Sequence, residues 1–328
     1  GGLMIDYFSW RWSFFLLAPI GFGGMLLALM NMKRRQVAPQ HYPGSVDYLG
    51  AALLFAVTTT LVFILDRRTH QLIGSSTKFF LLAVFIGSLA AFLVHESRAQ
   101  SPFVNLELFK IRRFSFSVVS LLVVSICYAL TGFLMPFYLQ DVLHLSPTQV
   151  GVLFMAPSVL TVALAPVSGY MTDRLGPRIP ATAGVVFMII SLAAGGMLRT
   201  DSHWLLPTLV IVVGAITNGI FNPANSTAMI SMMPKEHRGF ASAMNHVTFG
   251  FGNVLGVALG GLSMSLAFEY HTRIKTMSLT AENPAGLVAA LNTTFMVAII
   301  FCVGGILTSA LRGAEGSIGS VPGKTIAS

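Results

Sequence analysis

Three asparagines, Asn218, Asn222 and Asn225, stand four and three residues apart in the apolar stretch GAITNGIFNPANSTAM. At about 100° per residue they share one face of a helix. A carboxamide turned toward hydrocarbon forfeits its hydrogen bonds at a cost of several kcal/mol. That face therefore meets either neighbouring helices, through interhelical hydrogen bonds, or a wet path for a polar substrate. Pro223 in the same stretch removes a backbone donor and lets the helix bend. A second stripe lies in GFASAMNHVTFGFGNVLGVALGG, where Asn245, Phe249, Gly252, Asn253, Gly256 and Gly260 fall on one side and His246 at its edge. His246 is the one ionisable residue well inside an apolar stretch. It reads either as a group that titrates near neutral pH or as a packing residue. The spacing of Gly252, Gly256 and Gly260 predicts close approach of another helix backbone. GFGNVLG is not a nucleotide loop, because its spacing is GxGxxxG and it lies within an apolar helix rather than after a strand. In SLLVVSICYALTGFLMPFYLQ, Tyr128, Phe133, Met135, Phe137, Tyr138 and Gln140 gather near one helix end. Aromatic and Met surfaces accept varied amphiphiles by repacking, and they also serve as ordinary packing residues.

The carboxylates are absent from where a proton relay would place them. Asp6, Asp66, Asp141, Asp201, Glu269 and Glu282 fall at one set of span ends, and Asp47, Glu96, Glu107, Asp173, Glu236 and Glu315 at the other. The chain carries no GxSxG, CxxC or GxxxxGK[ST], and His95-Glu96 is followed by Ser-Arg-Ala rather than completing HExxH. The reading is a protein that is not an enzyme and needs no cofactor or metal. Cys127 and Cys302 fall inside apolar spans and read as packing residues.

The elements that position these residues follow from what the chain dissolves in. Of 328 residues, 54% are hydrophobic and 10% charged, with a mean hydropathy of +0.76; soluble domains carry about 25% charged residues. Nine apolar runs of about the length that crosses a bilayer lie near 13 to 32, 48 to 66, 77 to 95, 115 to 139, 147 to 171, 179 to 198, 204 to 230, 239 to 268 and 286 to 311. The fold class is an all-α integral membrane helix bundle. The net charge of +8 is dispersed among loops rather than gathered with aromatics, which excludes nucleic acid as the partner. If the loops alternate sides, thirteen Lys and Arg, among them Arg112, Arg174 and Arg238, share one side and seven, among them Arg67, Arg68 and Lys78, the other. The richer side is then cytoplasmic, with the C-terminus on it. The organisation is a lone helix (1–32), a basic linker (33–47) in which Asp47 caps the next helix, and two helices (48–95). An interfacial segment (96–114), a six-helix unit (115–311) and a loose Gly/Ser-rich tail (312–328) follow.

GYMTDRLGPR, residues 169–178, makes a tight polar reversal between two spans. It resembles the G-x-L-a-D-r-x-G-r-k loop of the major facilitator superfamily, written by Gly169, Asp173, Arg174, Gly176 and Arg178, with Pro177 in place of a basic residue. SWRWSFFLLAPIG resembles the sWRWiFfiNvPiG segment of the fourteen-helix drug:proton antiporters, the EmrB/QacA type, with Ala18 for the usual Asn. SPFVNLELF, PFYLQDVLHLSPTQVGVLFMAPSVL and FNPANSTAM follow that branch in order. The opening Gly1-Gly2 resembles the end of that branch's GPxxGG motif, so five helices of the pattern precede residue 1, among them the one with the acidic coupling residue. The resemblance implies a secondary transporter in the cell membrane that exports amphiphilic drugs or other small molecules in exchange for protons. Asp173 and Arg174 then form the ion-pair latch of the cytoplasmic gate. Tyr128, Phe133, Gln140, Asn218, Asn222, Asn225, Asn245, His246 and Phe249 are the candidate cavity residues. A transporter of a sugar, metabolite or peptide, and a non-transporting membrane scaffold, remain as alternatives.

Overall fold

The computed structural model describes residues 2–31, 47–66, 74–99, 104, 106–233, 238–274 and 283–310. The expected basic linker up to residue 46, Arg67 and Arg68, Glu107's side chain, Glu236, Glu282 and the tail after 310 lie outside what is described. Every regular element among the described residues is helical: α1 (Gly2–Tyr7), α2 (Trp10–Asn31), α3 (Tyr48–Leu65), α4 (Ser75–Arg98), α5 (Arg112–Phe137), α6 (Pro147–Leu175), α7 (Arg178–Gly195), α8 (Leu205–Ser231), α9 (Arg238–Thr272) and α10 (Pro284–Ala310). A short 3-10 turn, Leu106–Lys110, leads into α5, and a π turn, Tyr138–Val142, continues it.

Eight of these helices, α3 to α10, are long and apolar enough to cross a membrane. The ninth expected span lies within α2, where the apolar stretch Phe14–Met30 is shorter. Several helices outrun the apolar runs that predicted them: α9 begins at Arg238 and α6 continues to Leu175. The hydropathy pattern ends where polar side chains begin, whereas the hydrogen-bonded ladder continues past the hydrocarbon edge into water. Local signals set the other ends. Ser146 accepts from Gln149 N while the Gln149 side chain takes Ser146 N–H, and Pro147 occupies the first helical position of α6. Gly176, at φ 75°, adopts the left-handed conformation that stops α6 one residue before Pro177. Asp47 Oδ1 accepts from Gly50 N at 2.8 Å, which bears out its expected capping of α3.

The main core is built by α5 to α10, centred on Phe114, Leu121, Leu134, Met188, Phe221 and Phe295. The predicted glycine stripe of α9 forms a close seam with α5. A Cβ on Gly252 would meet Ser125 Cβ of α5 at 2.6 Å, and one on Gly256 would run into the Ile126 carbonyl and Ala129. Gly260 lies against Leu130 and Phe133 with slightly more room. Cys127 and Cys302 are both buried where α5 meets α10, as expected of packing residues. Most buried hydroxyls bond to the carbonyl four residues back in their own helix, as Ser125 to Leu121, Thr131 to Cys127, Thr172 to Ser168 and Thr294 to Ala290. Two reach across instead: Ser168 of α6 donates to the Ile220 carbonyl of α8 at 2.6 Å, and Ser191 of α7 to that of Val210 of α8 at 2.7 Å. The half-buried Thr161 of α6 shares its hydroxyl between the Pro157 carbonyl of its own helix at 3.0 Å and the Ala215 carbonyl of α8 at 3.3 Å. The helices α3 and α4 pack on each other around a smaller core, Val57, Phe92 and Val104, which touches Met244 of α9 and Phe109. α1 packs on the start of α6, where Gly2 lies against Pro147 and Gly151. Apart from Gly23, the side chains described between Arg11 and Met30 of α2 are exposed.

Candidate functional site

Polar side chains of α5, α8 and α9 converge within this apolar unit. Tyr128 of α5 lies beside the Asn218 carboxamide of α8. Asn222 Nδ2 donates to Asn218 Oδ1 one turn away. Further along the same face, Asn225 is fully buried, and its Nδ2 reaches Met229 Sδ at 3.5 Å. Asn245 of α9 reaches the same sulfur, also at 3.5 Å. The result is a ladder of carboxamides from Tyr128 to Asn245, closed at one end by a thioether, which is a weak acceptor. Tyr128, Asn218, Asn222 and Asn245 are half-buried, so the ladder borders open space rather than sitting wholly in the core. Pro223 lies between Asn222 and Asn225 within α8.

The structure separates the remaining candidates from this ladder. Phe249 is half-buried against the main core. Asn253 donates from Nδ2 to the Phe249 carbonyl at 2.8 Å within α9. Gln140 is exposed and bonds back to the Pro136 carbonyl. His246 is exposed, with no hydrogen bond recorded among the described residues, so it is not the enclosed packing histidine that was one of its two readings. Phe133 stacks edge-to-face on Phe137 at 5.2 Å and lines a different space. That space is a crevice of about 570 Å³ between α3, α5 and α9, bounded by Val62, Leu65 and Asp66, by Phe133, and by the α9 face from Asn253 to Leu262.

At the end of the bundle carrying the 169–178 turn, Asp173, Arg174 and Arg178 are all exposed. The Arg174 guanidinium lies over the Tyr170 ring at 4.7 Å, and among the described residues no cation pairs with Asp173. The turn is tied down by its uncharged members. Thr172 is buried and donates to the Ser168 carbonyl at 2.7 Å, while Ser168 itself reaches α8.

Sequence reasoning missed a cluster at the same end. His95 Nε2 lies 2.9 and 3.1 Å from the two Asp47 carboxylate oxygens. Glu96 is 3% exposed, and its Oε2 accepts from Val104 N at 3.0 Å, fixing the segment that leads into α5. Gly50 leaves the room for both acids, since a Cβ there would fall 2.5 Å from Asp47 Oδ2 and 2.8 Å from Glu96 Oε1. Position at a span end had placed Glu96 with the water-facing acids. The fold over it of Val104, which is not visible as a pattern in sequence, makes it a buried one.

Eight apolar helices of spanning length and a carboxamide ladder facing open space define a multi-pass membrane protein with an internal polar surface. Residues 118–315 match the family described as Major Facilitator Superfamily, and the chain belongs to that family. Over 312 residues it is 26% identical to the riboflavin transporter RibZ of Clostridioides difficile, covering 94% of this chain and 65% of that protein. It is 29% identical over 311 residues to a multidrug resistance protein B homolog of Mycobacterium tuberculosis, covering 89% and 55%. It is 27% identical over 267 residues to a tetracenomycin C resistance and export protein of Streptomyces glaucescens, covering 81% and 49%. The chain thus spans about half to two thirds of the length of these relatives.

Proposed function

We propose that this chain forms the substrate-binding C-terminal half, with two additional central helices, of a proton-driven exporter of amphiphilic small molecules in the cytoplasmic membrane. The observation that carries this reading is the ladder Tyr128–Asn218–Asn222, with Asn225 and Asn245 on Met229. It is a polar surface inside an all-apolar unit, and hydrocarbon would penalise it unless a substrate or water path occupies the space beside it. Carboxamides offer both donors and acceptors, and Tyr128 adds an aromatic face, so the surface accepts varied amphiphiles without one fixed charge. Relatives named for multidrug resistance and tetracenomycin export support it. Proton coupling rests on the resemblance to the fourteen-helix antiporters, and the 169–178 turn is placed by the same resemblance at the cytoplasmic gate. There Asp173 acts in a gate state other than the open-handed one described, because its pairing is the switch.

The test is ethidium export from proteoliposomes under an imposed pH gradient, using the protein in its full natural length. Export should stop when a protonophore collapses the gradient. Asn222→Ala should raise KM for some substrates and lower it for others, and Asp173→Asn should slow export with membrane insertion intact. Export indifferent to the gradient, or both variants exporting as wild type, would overturn the reading. A second reading, export or uptake of a planar metabolite rich in hydrogen-bonding groups, is favoured by the same carboxamides and by the riboflavin transporter among the relatives. Saturable, single-substrate transport of such a compound would select it.

A further inference from the structure

We propose that the crevice between α3, α5 and α9 is a lipid site, which holds one acyl chain of a bilayer phospholipid between the α3–α4 pair and the six-helix body. This inference stands apart from the transport reading, since it concerns binding alone. The α3–α4 pair rests on the body through its smaller core, where Val57, Phe92 and Val104 meet Met244 of α9 and Phe109. Farther along, Val62 and Leu65 in the last turn of α3 line, with Phe133 of α5 and Val257 of α9, a crevice of about 570 Å³. That volume is usual for a small-molecule pocket, about 300–1,000 Å³. It is not the ladder's space. At about 100° per residue, Val254 and Gly261 lie roughly 180° and 160° around α9 from Asn245, so the crevice uses the opposite side of that helix.

The walls and the medium around them select the ligand. All three wall helices are long and apolar enough to cross a membrane, so what meets the mouth of the crevice is hydrocarbon. Water is a poor occupant, because a held water needs about two to four polar partners. The lining is apolar apart from Asn253 and the exposed rim residue Asp66, and Asn253 has committed its Nδ2 to the Phe249 carbonyl of its own helix. A hydrocarbon chain needs no hydrogen bonds, and in a bilayer its hold comes from dispersion contacts. Against a single exposed helix a chain is touched from one side. In the crevice it is touched by α3, α5 and α9, and Ala258 and Gly261 let it lie close along α9. At 1.5 Å per residue the α9 wall from Asn253 to Leu262 is about 13.5 Å long. That is roughly half the hydrocarbon thickness, the depth of one leaflet. The walls grip the chain, so the head group is left to the aqueous rim and is not what they recognise.

The experiment uses the protein at its full natural length, reconstituted without a pH gradient in phosphatidylcholine liposomes doped with a phosphatidylcholine whose acyl chain bears a diazirine. The liposomes are dissolved in lipid-free detergent, which strips loosely held lipid, then irradiated, and the adducts are mapped to peptides. Adducts are expected on 62–65 and 253–262, with about tenfold fewer on the exposed face of α10 around Ile300 and Phe301. Val257→Phe and Ala258→Phe, which fill the crevice from an exposed and a half-buried position, should each bring crevice labelling down to the level of that face. A phosphatidylglycerol with the same diazirine chain should label the crevice as the phosphatidylcholine does. Equal labelling of the crevice and the α10 face, no adducts in the crevice, labelling that depends on the head group, or full labelling of both filled variants would each overturn the proposal. Because no gradient is applied, a failure of the transport reading leaves this result standing.

Discussion

Met229 holds the end of the carboxamide ladder with a thioether, and that choice sets how tightly the ladder is closed. Sulfur accepts hydrogen bonds weakly, so the half-buried Asn245 remains ready to exchange it for a substrate oxygen or water. Met229→Leu should therefore leave stability within about 0.6 kcal/mol, the mean worth of an interhelical bond in a membrane protein, while changing substrate KM values. The glycines behave oppositely. Gly256→Ala forces a methyl against the Ile126 carbonyl, and overpacking of this kind costs about 1–3 kcal/mol. Gly250→Ala meets no atom within 4 Å and should raise stability by about 0.5 kcal/mol. Thermal unfolding in detergent separates the pair, and an equal effect of both would refute the seam. Glycine spacing was legible in the sequence because a period of four implies a stripe, whatever it faces. Phe133 was not, because a helix has two long sides and composition does not say which neighbour each one meets.

At the scale of elements, the spans were legible because solubility in oil is a property of every residue in them. Asp47 was legible as a cap because capping is local. What the sequence did not disclose was the tie between α4 and the segment before α5, since Glu96 and Val104 are joined by a bend, not by a periodicity. Removing that acceptor leaves the Val104 N–H without its partner and loosens the segment. In a Val104→Cys background, where the native Cys127 and Cys302 are fully buried, Glu96→Ala should raise maleimide labelling about fivefold, the effect of roughly 1 kcal/mol. Glu96→Gln retains an acceptor and should label as the parent does. Unchanged labelling in Glu96→Ala would remove the tie from any structural role.

For the whole molecule, thirteen basic residues against seven predict which ends face the cytoplasm. The helix order places the 169–178 turn and the 196–204 connection at opposite ends of the bundle. Asp173→Cys should accordingly react with a membrane-impermeant maleimide only from inside, and Ser202→Cys only from outside; reaction of both from one side would invert or break the topology. The hydroxyl pattern carries a mechanical consequence. The three cross-helix bonds to α8 from Thr161, Ser168 and Ser191 stitch α6, α7 and α8 into one block, and interlocked glycines weld α9 to α5. Many of the other hydroxyls, such as Ser125, Thr131, Thr172 and Thr294, bond to a carbonyl of their own helix. The polar ladder straddles the boundary between the block and the welded pair, with Tyr128 of α5 beside Asn218 of α8 and Asn245 of α9 on Met229 of α8, so relative movement of the two would be felt there first.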